Sequence, residues 1–218
     1  MKALETMDST LKTSTSYPKD SLGSFPAIIA DSESGKGRIE RAALLLFSES
    51  TIDGVSTKRI AQDAEVSEGL LYRHFKNKED LARALMLAIH NRLTEMIYEI
   101  AQMDLALDDK IRRIVVNYCD IADKDWALFR YHILHLHRFP NLSERPEKSP
   151  LGAATRLLED AMSDGEIASE DGMILASMAL GVVLQTAQSK VLGALTGPLL
   201  PHTGRLTQGV LKLLELES

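Results

Sequence analysis

A single cysteine, Cys119, stands among the 218 residues. No disulfide framework and no cysteine-built metal site can form within one chain, so a reducing compartment is expected. Aromatic residues are scarce at 5%, and no strand-like alternation of useful length occurs. Leu, Ala and Ile are plentiful, a mix that favours helices because straight-chain residues and Ala lose little on entering one. No apolar stretch approaches the length needed to cross a bilayer, and the N-terminus lacks the basic-then-apolar order of a secretory signal. The expectation is a cytoplasmic protein with no membrane partner. A Walker loop, a Rossmann glycine pattern, a zinc signature and a nucleophile elbow are all missing from the sequence, so neither an enzyme nor a bound cofactor is expected.

Positive charge in excess is missing too. The net charge is −6, which argues weakly against a nucleic-acid partner. Its distribution qualifies that. Residues 35–80 hold eight Lys/Arg and eight Asp/Glu, so that segment is neutral beside an acidic remainder. The placement of its bases, rather than their number, has to identify any such partner.

What is present is helical period. Residues 1–34 read as a tail, rich in Ser, Thr, Pro and Lys without sustained periodicity. Ile39, Ala42, Ala43, Leu46 and Phe47 then follow helical spacing, predicting an amphipathic helix up to about Ser50. Asp53-Gly54 marks a turn. Ser56 or Thr57 can cap a short helix, Thr57–Glu65, and after the Val66-Ser67 turn Ser67 can cap another, Glu68–Phe75. Asn77 caps a longer helix to about Met103. Further helices are predicted over Asp108–Ile121, Asp125–Arg138, Pro150–Ser163, Ser169–Gly193 and Gly204–Leu216, with a proline-broken loop over 139–150. There is no internal repeat.

Two short helices joined by a tight turn, supported before and after, have the layout of a DNA-reading helix-turn-helix. Thr57–Leu81 reads TKRIAQDAEVSEGLLYRHFKNKEDL. A Thr opening the second helix, Ile-Ala within it, a small-Val-Ser turn and Gly-x-Leu-Tyr-x-His-Phe-x-x-Lys-x-x-Leu closely resemble the signature of TetR-family transcriptional regulators. The resemblance covers about Arg38–Asp80; beyond that only the helical pattern agrees. It implies an all-α fold: an N-terminal three-helix helix-turn-helix DNA-binding domain, residues 35–81, and a C-terminal helical bundle for effector binding and dimerisation, residues 82–218.

The chemistry of each position suits double-stranded operator DNA. Ser67 offers a hydroxyl and free amides at a helix start, a seat for phosphate. Glu68, Gly69 and Leu70 fall in the first turn of the recognition helix, which faces base edges. Glu68 can accept from a cytosine amino group or simply complement the helix dipole, and Leu70 can touch a thymine methyl. The resemblance implies that Tyr72 and His74 donate to phosphates. Thr57 and Lys78, at helix starts, suit the same role, and Lys58 and Arg73 are further backbone candidates. Ile60, Ala61, Leu71 and Phe75 are expected in the core.

The resemblance also implies a homodimer built on the last two long helices and an unknown small-molecule effector in a cavity between that seam and the DNA module. Candidate wall residues are Trp126, Phe129, Tyr131, His132, His135, Met162, Met178 and Gln185, apolar walls with a few polar groups; each is equally suited to ordinary core. His132 and His135 share a helix face, but no acidic or cysteine partner sits at ligand spacing, so no metal is expected. Cys119 sits among apolar residues that suggest burial rather than redox sensing. The leading expectation is a repressor released from a palindromic operator by its effector. A DNA-bound scaffold recruiting a protein partner, or an activator of the same fold, remain alternatives.

Overall fold

A computed structural model describes residues 33–140, 142 and 146–216, and among these the chain is built from helices without strands. In order they are α1 (Gly35–Glu49), α2 (Thr57–Asp63), α3 (Glu68–His74), α4 (Lys78–Ala101), α5 (Leu107–Lys124), α6 (Trp126–His135), α7 (Pro150–Ser163), α8 (Gly172–Val191) and α9 (Thr203–Leu213). The tail expected over residues 1–34 lies outside the described residues except for Glu33 and Ser34.

Polar residues written just before the apolar runs set most helix starts. Ser34 accepts from the Gly37 N–H, Ser56 from Arg59, Ser67 from Leu70 and Asn77 from Asp80. Asp125, Ser149 and Asp171 do the same for α6, α7 and α8. Each side chain satisfies an N–H that the helix leaves without a partner, and such a cap contributes ~1 kcal/mol. At α2 the cap is Ser56, so Thr57 is the first helical residue and its hydroxyl is left for other partners. The cap at Ser34 starts α1 four residues before Ile39, the first apolar residue of the sequence pattern.

Ile39, Ala43, Leu44 and Phe47 of α1, Ile60 and Ala61 of α2, Leu71 of α3, and Leu81 and Ala82 of α4 are buried together. Their side chains leave water on folding, and that burial fixes three short helices against the start of α4. A division at residue 81 falls inside α4. Between α2 and α3 the chain turns at Glu65, which holds a left-handed φ of 54°. That conformation costs a residue with a Cβ ~1 kcal/mol and lets the turn stay short.

α1 packs along α6, α4 along α7, α7 against α8, and α5 and α8 against α9. α8 and α9 meet closely at Gly209, where a Cβ would stand 3.3 Å from Val182 Cγ1. The connection into α9 is anchored by Asp123 on α5. Its carboxylate accepts from the N–H groups of Leu199 (2.9 Å) and Leu200 (2.8 Å) and from Lys190 Nζ (3.1 Å). Burial pushes this carboxyl up, but the three donors outweigh it and hold it below its ordinary value. Lys190 also sits over the Trp126 ring, 4.4 Å from its centre.

One sequence expectation needs correction. At 20 residues and a mean hydropathy of 1.3, α8 is long and apolar enough, by length and composition alone, to cross a bilayer. Its Leu175, Ala176, Val183 and Ala187 are buried within the fold, while Met173, Ile174 and Met178 are exposed.

Candidate nucleic-acid interface and cavity

The outer surface of α2 and α3 carries a small polar cluster. Thr57 Oγ1 lies 3.1 Å from the Tyr72 hydroxyl and donates to Glu68 Oε2 at 3.3 Å. Tyr72 is 52% exposed. Thr57 at the start of α2, Glu68 at the start of α3 and Tyr72 one turn further along α3 therefore form one solvent-facing unit. Ser67, Glu68 and Gly69 are all exposed, and a Cβ at Gly69 would meet only the Ser67 hydroxyl, at 3.8 Å. The N-terminal turn of α3 thus stands open, with the basic Arg73 and His74 in its last turn.

The bases divide into two groups. Arg59 pairs with Asp63 at 2.8 Å, Lys36 with Glu40 at 3.1 Å and Arg41 with Asp125 at 2.6 Å. Arg38 donates to the carbonyls of Ala64 and Glu33. Lys58, Arg73 and Lys76 are exposed and enter no ion pair among the described residues. These three remain available to an outside anion.

Two expected contacts are placed differently by the structure. Lys78 is half-buried, and its ammonium donates to the carbonyls of Asp53 (2.8 Å) and Val55 (3.2 Å). It closes the α1–α2 loop onto the start of α4. Leu70 is half-buried against the core, and a Cβ on Gly35 would lie 2.8 Å from its Cδ2. Gly35 is therefore the residue that admits Leu70 against the start of α1. An i+3 or i+4 count places Lys78 and Leu70 on a helix face but says nothing of what another helix brings against them.

α6 joins this module to the body at several points. The Tyr131 hydroxyl donates to the Ala82 carbonyl at 2.7 Å, and His135 Nε2 meets the Phe47 carbonyl at 2.9 Å. Arg138, just beyond α6, grips the Asp53 carboxylate with Nη1 at 2.7 Å and Nη2 at 2.9 Å. That pair holds Asp53 below its ordinary value, the hydrogen bond from Arg138 being the main cause.

A cavity of about 420 Å³ lies in the body among α4, α5, α6, α7 and α8. Its walls are mostly apolar, among them Leu93, Ile97, Val115, Leu180 and Val183. The polar exceptions are His90, Tyr118, His132, Ser149 and Ser177. Burial, and after it the neighbouring His90, pushes His132 down to about 3, and burial lowers His90 as well. Both rings are neutral near pH 7. The rings of His90 and His132 meet edge to face at 5.3 Å.

Of the eight wall residues expected from sequence, only His132 lines this cavity, and the other seven lie elsewhere. Trp126 stacks on Phe129, which is buried against Tyr118; Tyr131 and His135 are buried toward α4 and α1. Met162 is partly buried in the core, and Met178 and Gln185 are exposed on α8. Residue type suited all eight, but the inward face of each helix is set by its packing partners. Tyr118 and His90 were missed. The available signal was a polar ring standing amid the apolar spacing of α4 and α5. Cys119 is buried, and burial pushes its thiol up to about 12, so it does not ionise near neutrality. No cluster of three metal-ligating side chains occurs among the described residues.

Residues 39–85 match the model of the "Bacterial regulatory proteins, tetR family". An HTH-type transcriptional regulator of Staphylococcus aureus (strain USA300) is 43% identical over 51 residues, 23% of this chain and 28% of that protein. The matched segment is thus little more than a quarter of that relative. The fold is shared with FadR, the fatty acid degradation regulator of Bacillus halodurans, at a TM-score of 0.73 and 20% identity, over 81% of this chain and 94% of that one. Bacillus subtilis FadR in complex with stearoyl-CoA aligns at a TM-score of 0.72 and 20% identity, over 83% and 98%. Salmonella enterica GusR aligns at 0.65 and 23% identity, over 85% and 100%.

Proposed function

We propose that this chain is a regulator of the TetR type, a sequence-specific DNA-binding repressor acting as a homodimer in the cytoplasm; the match of residues 39–85 to the tetR model and the shared fold support this reading. A small molecule entering the cavity releases it from its operator. The observation that carries the DNA-binding part is the open first turn of α3 beside the exposed Thr57–Glu68–Tyr72 unit. A short helix with a free N-terminal turn fits a major groove, and the exposed Lys58, Arg73 and Lys76 supply phosphate contacts.

The dimer reading is supported by α8, whose Met173, Ile174 and Met178 are exposed beside Gly181, where a Cβ would meet nothing within 4 Å. An apolar, close-approachable helix face suits the same face of a second copy. Two copies present two recognition helices about one turn of duplex apart, so the operator is an inverted repeat. The release step is supported by α6, which borders the cavity at His132 and binds the α1 backbone through His135 three residues later. A ligand that binds one position of α6 better than another shifts the spacing of the recognition helices by its differential affinity. That the same fold was solved in Bacillus subtilis FadR with stearoyl-CoA supports an effector role for the body.

The test is selection of bound sequences from random duplex DNA by the full chain, repeated with Tyr72→Phe and Arg73→Ala. Recovery of an inverted repeat, bound more weakly by both variants at unchanged thermal stability, supports the reading. Sequence-blind binding or none overturns it.

A further inference from the structure

Two residues that line the cavity each carry a polar atom that the protein itself leaves without a partner. The Tyr118 hydroxyl and His90 Nε2 are buried and make no hydrogen bond. Of the residues with such atoms among those described, only these two line the cavity. A buried polar group without a partner costs about 1–3 kcal/mol, so two at one void are an unmet demand rather than noise. Tyr118 is held edge to face on Phe129 at 5.3 Å, and His90 on His132 at the same separation.

Among the described residues, no Lys, Arg, Asp or Glu lines the cavity. The buried ring of His132 is held neutral by its burial and by His90. An ion entering this space gives up its hydration with no counter-charge to meet it, which an uncharged molecule does not.

We propose that the cavity takes an uncharged, largely aliphatic molecule bearing an oxygen function, an alcohol or a ketone, that hydrogen-bonds with the Tyr118 hydroxyl and His90 Nε2. The aliphatic part lies along Leu93, Ile97, Leu180 and Val183. This assignment names the ligand class for the effector site and rests on that reading.

Calorimetric titration of the full chain at pH 7 with decan-1-ol, decan-2-one, decanoate and decyltrimethylammonium, all below micelle-forming concentrations, tests it. The alcohol and the ketone are expected to bind at least about tenfold more tightly than either ion. Tyr118→Phe and His90→Phe each weaken the neutral ligands by about fivefold, and Leu180→Trp, which fills the cavity, abolishes their binding. Ions binding as well as the neutral pair, both ring variants leaving affinity unchanged, or no ligand binding at all overturns the proposal. Operator affinity in saturating decan-1-ol, read by fluorescence anisotropy, tests the effector reading apart from it. Binding without any change in operator affinity keeps the ligand class and removes the effector role.

Discussion

His135 Nε2 donates to the Phe47 carbonyl across 2.9 Å, joining the helix that borders the cavity to the first helix of the N-terminal module. The bond requires a proton on Nε2, because a carbonyl can only accept, and it therefore works against the burial that lowers His135. Burial lowers His135, and the same cause lowers His90 and takes His132 to about 3. A histidine kept neutral in the fold but free to protonate when unfolded stabilises the fold above its ordinary value of 6.5, and the contribution is lost as pH falls below that. At pH 5 the loss from His132 alone is about 2 kcal/mol. The melting temperature is therefore expected to fall steeply between pH 7 and 5, and His132→Phe to flatten that fall. An unchanged slope in the variant sinks this account.

The Arg138–Asp53 pair lies at the other end of the same junction and is largely open to solvent. Screening leaves it little weight in global stability. Its expected effect is on communication: Arg138→Ala should change by about threefold the ratio of operator affinities with and without bound ligand, within the range seen for residues between coupled sites. Anisotropy titrations with both forms measure it, and an unchanged ratio refutes the link.

Lys78 and Tyr72 should separate cleanly. Lys78→Ala removes two hydrogen bonds to the Asp53 and Val55 carbonyls and should lower stability by about 1–2 kcal/mol. Tyr72→Phe, at an exposed position, should leave the melting temperature unchanged while weakening operator binding severalfold. Thermal melts and binding isotherms on the same preparations check both. A stable Lys78→Ala protein with a reduced salt dependence of binding would instead make Lys78 a phosphate contact.

Glu65→Gly should stabilise the chain by up to about 1 kcal/mol, because the left-handed φ of 54° is penalised by a Cβ and not by glycine. Glycine's greater freedom when unfolded trims the gain. Urea denaturation of the two proteins decides it; a destabilised variant would mean that the Glu65 side chain contributes contacts that outweigh the strain.

Asp123→Asn keeps the shape of the side chain but weakens the bonds from Leu199, Leu200 and Lys190. A loss of about 1–3 kcal/mol is expected, since charge-assisted bonds at a partly buried site are at stake. The wild-type advantage should disappear as the pH drops below the ordinary carboxylate range, because the native carboxyl is held below its ordinary value.

Much of this was readable in the chain before folding. Ser67 and Asn77 announce helix starts because a short hydroxyl or amide ahead of an apolar run reaches a free N–H through local bonds alone. Ile60, Ala61, Leu71 and Phe75 fall on inward faces by period, and all four are buried. Tyr72, on the outward face of α3, is exposed for the same reason. The density of the Thr57–Leu81 pattern sufficed to show the resemblance to the tetR model that residues 39–85 match, because such a module has few ways to keep two short helices packed with one face open.

The cavity was not readable in this way. Trp126, Phe129 and Tyr118 are all aromatic residues at helical spacing, yet only Tyr118 lines the void, because Trp126 is covered by Lys190 and Phe129 turns its ring onto Tyr118. Lys78, expected at a phosphate, bonds loop carbonyls brought up by α1, more than twenty residues earlier. Local order determined the helices, their caps and the exposed face of the recognition helix, since those depend on bonds and spacings within a few residues. Which side chains face the cavity, and which of them keep an unmatched polar atom there, was decided only by how α4, α5, α6, α7 and α8 press on one another, where close packing between distant segments leaves each ring a single place to lie.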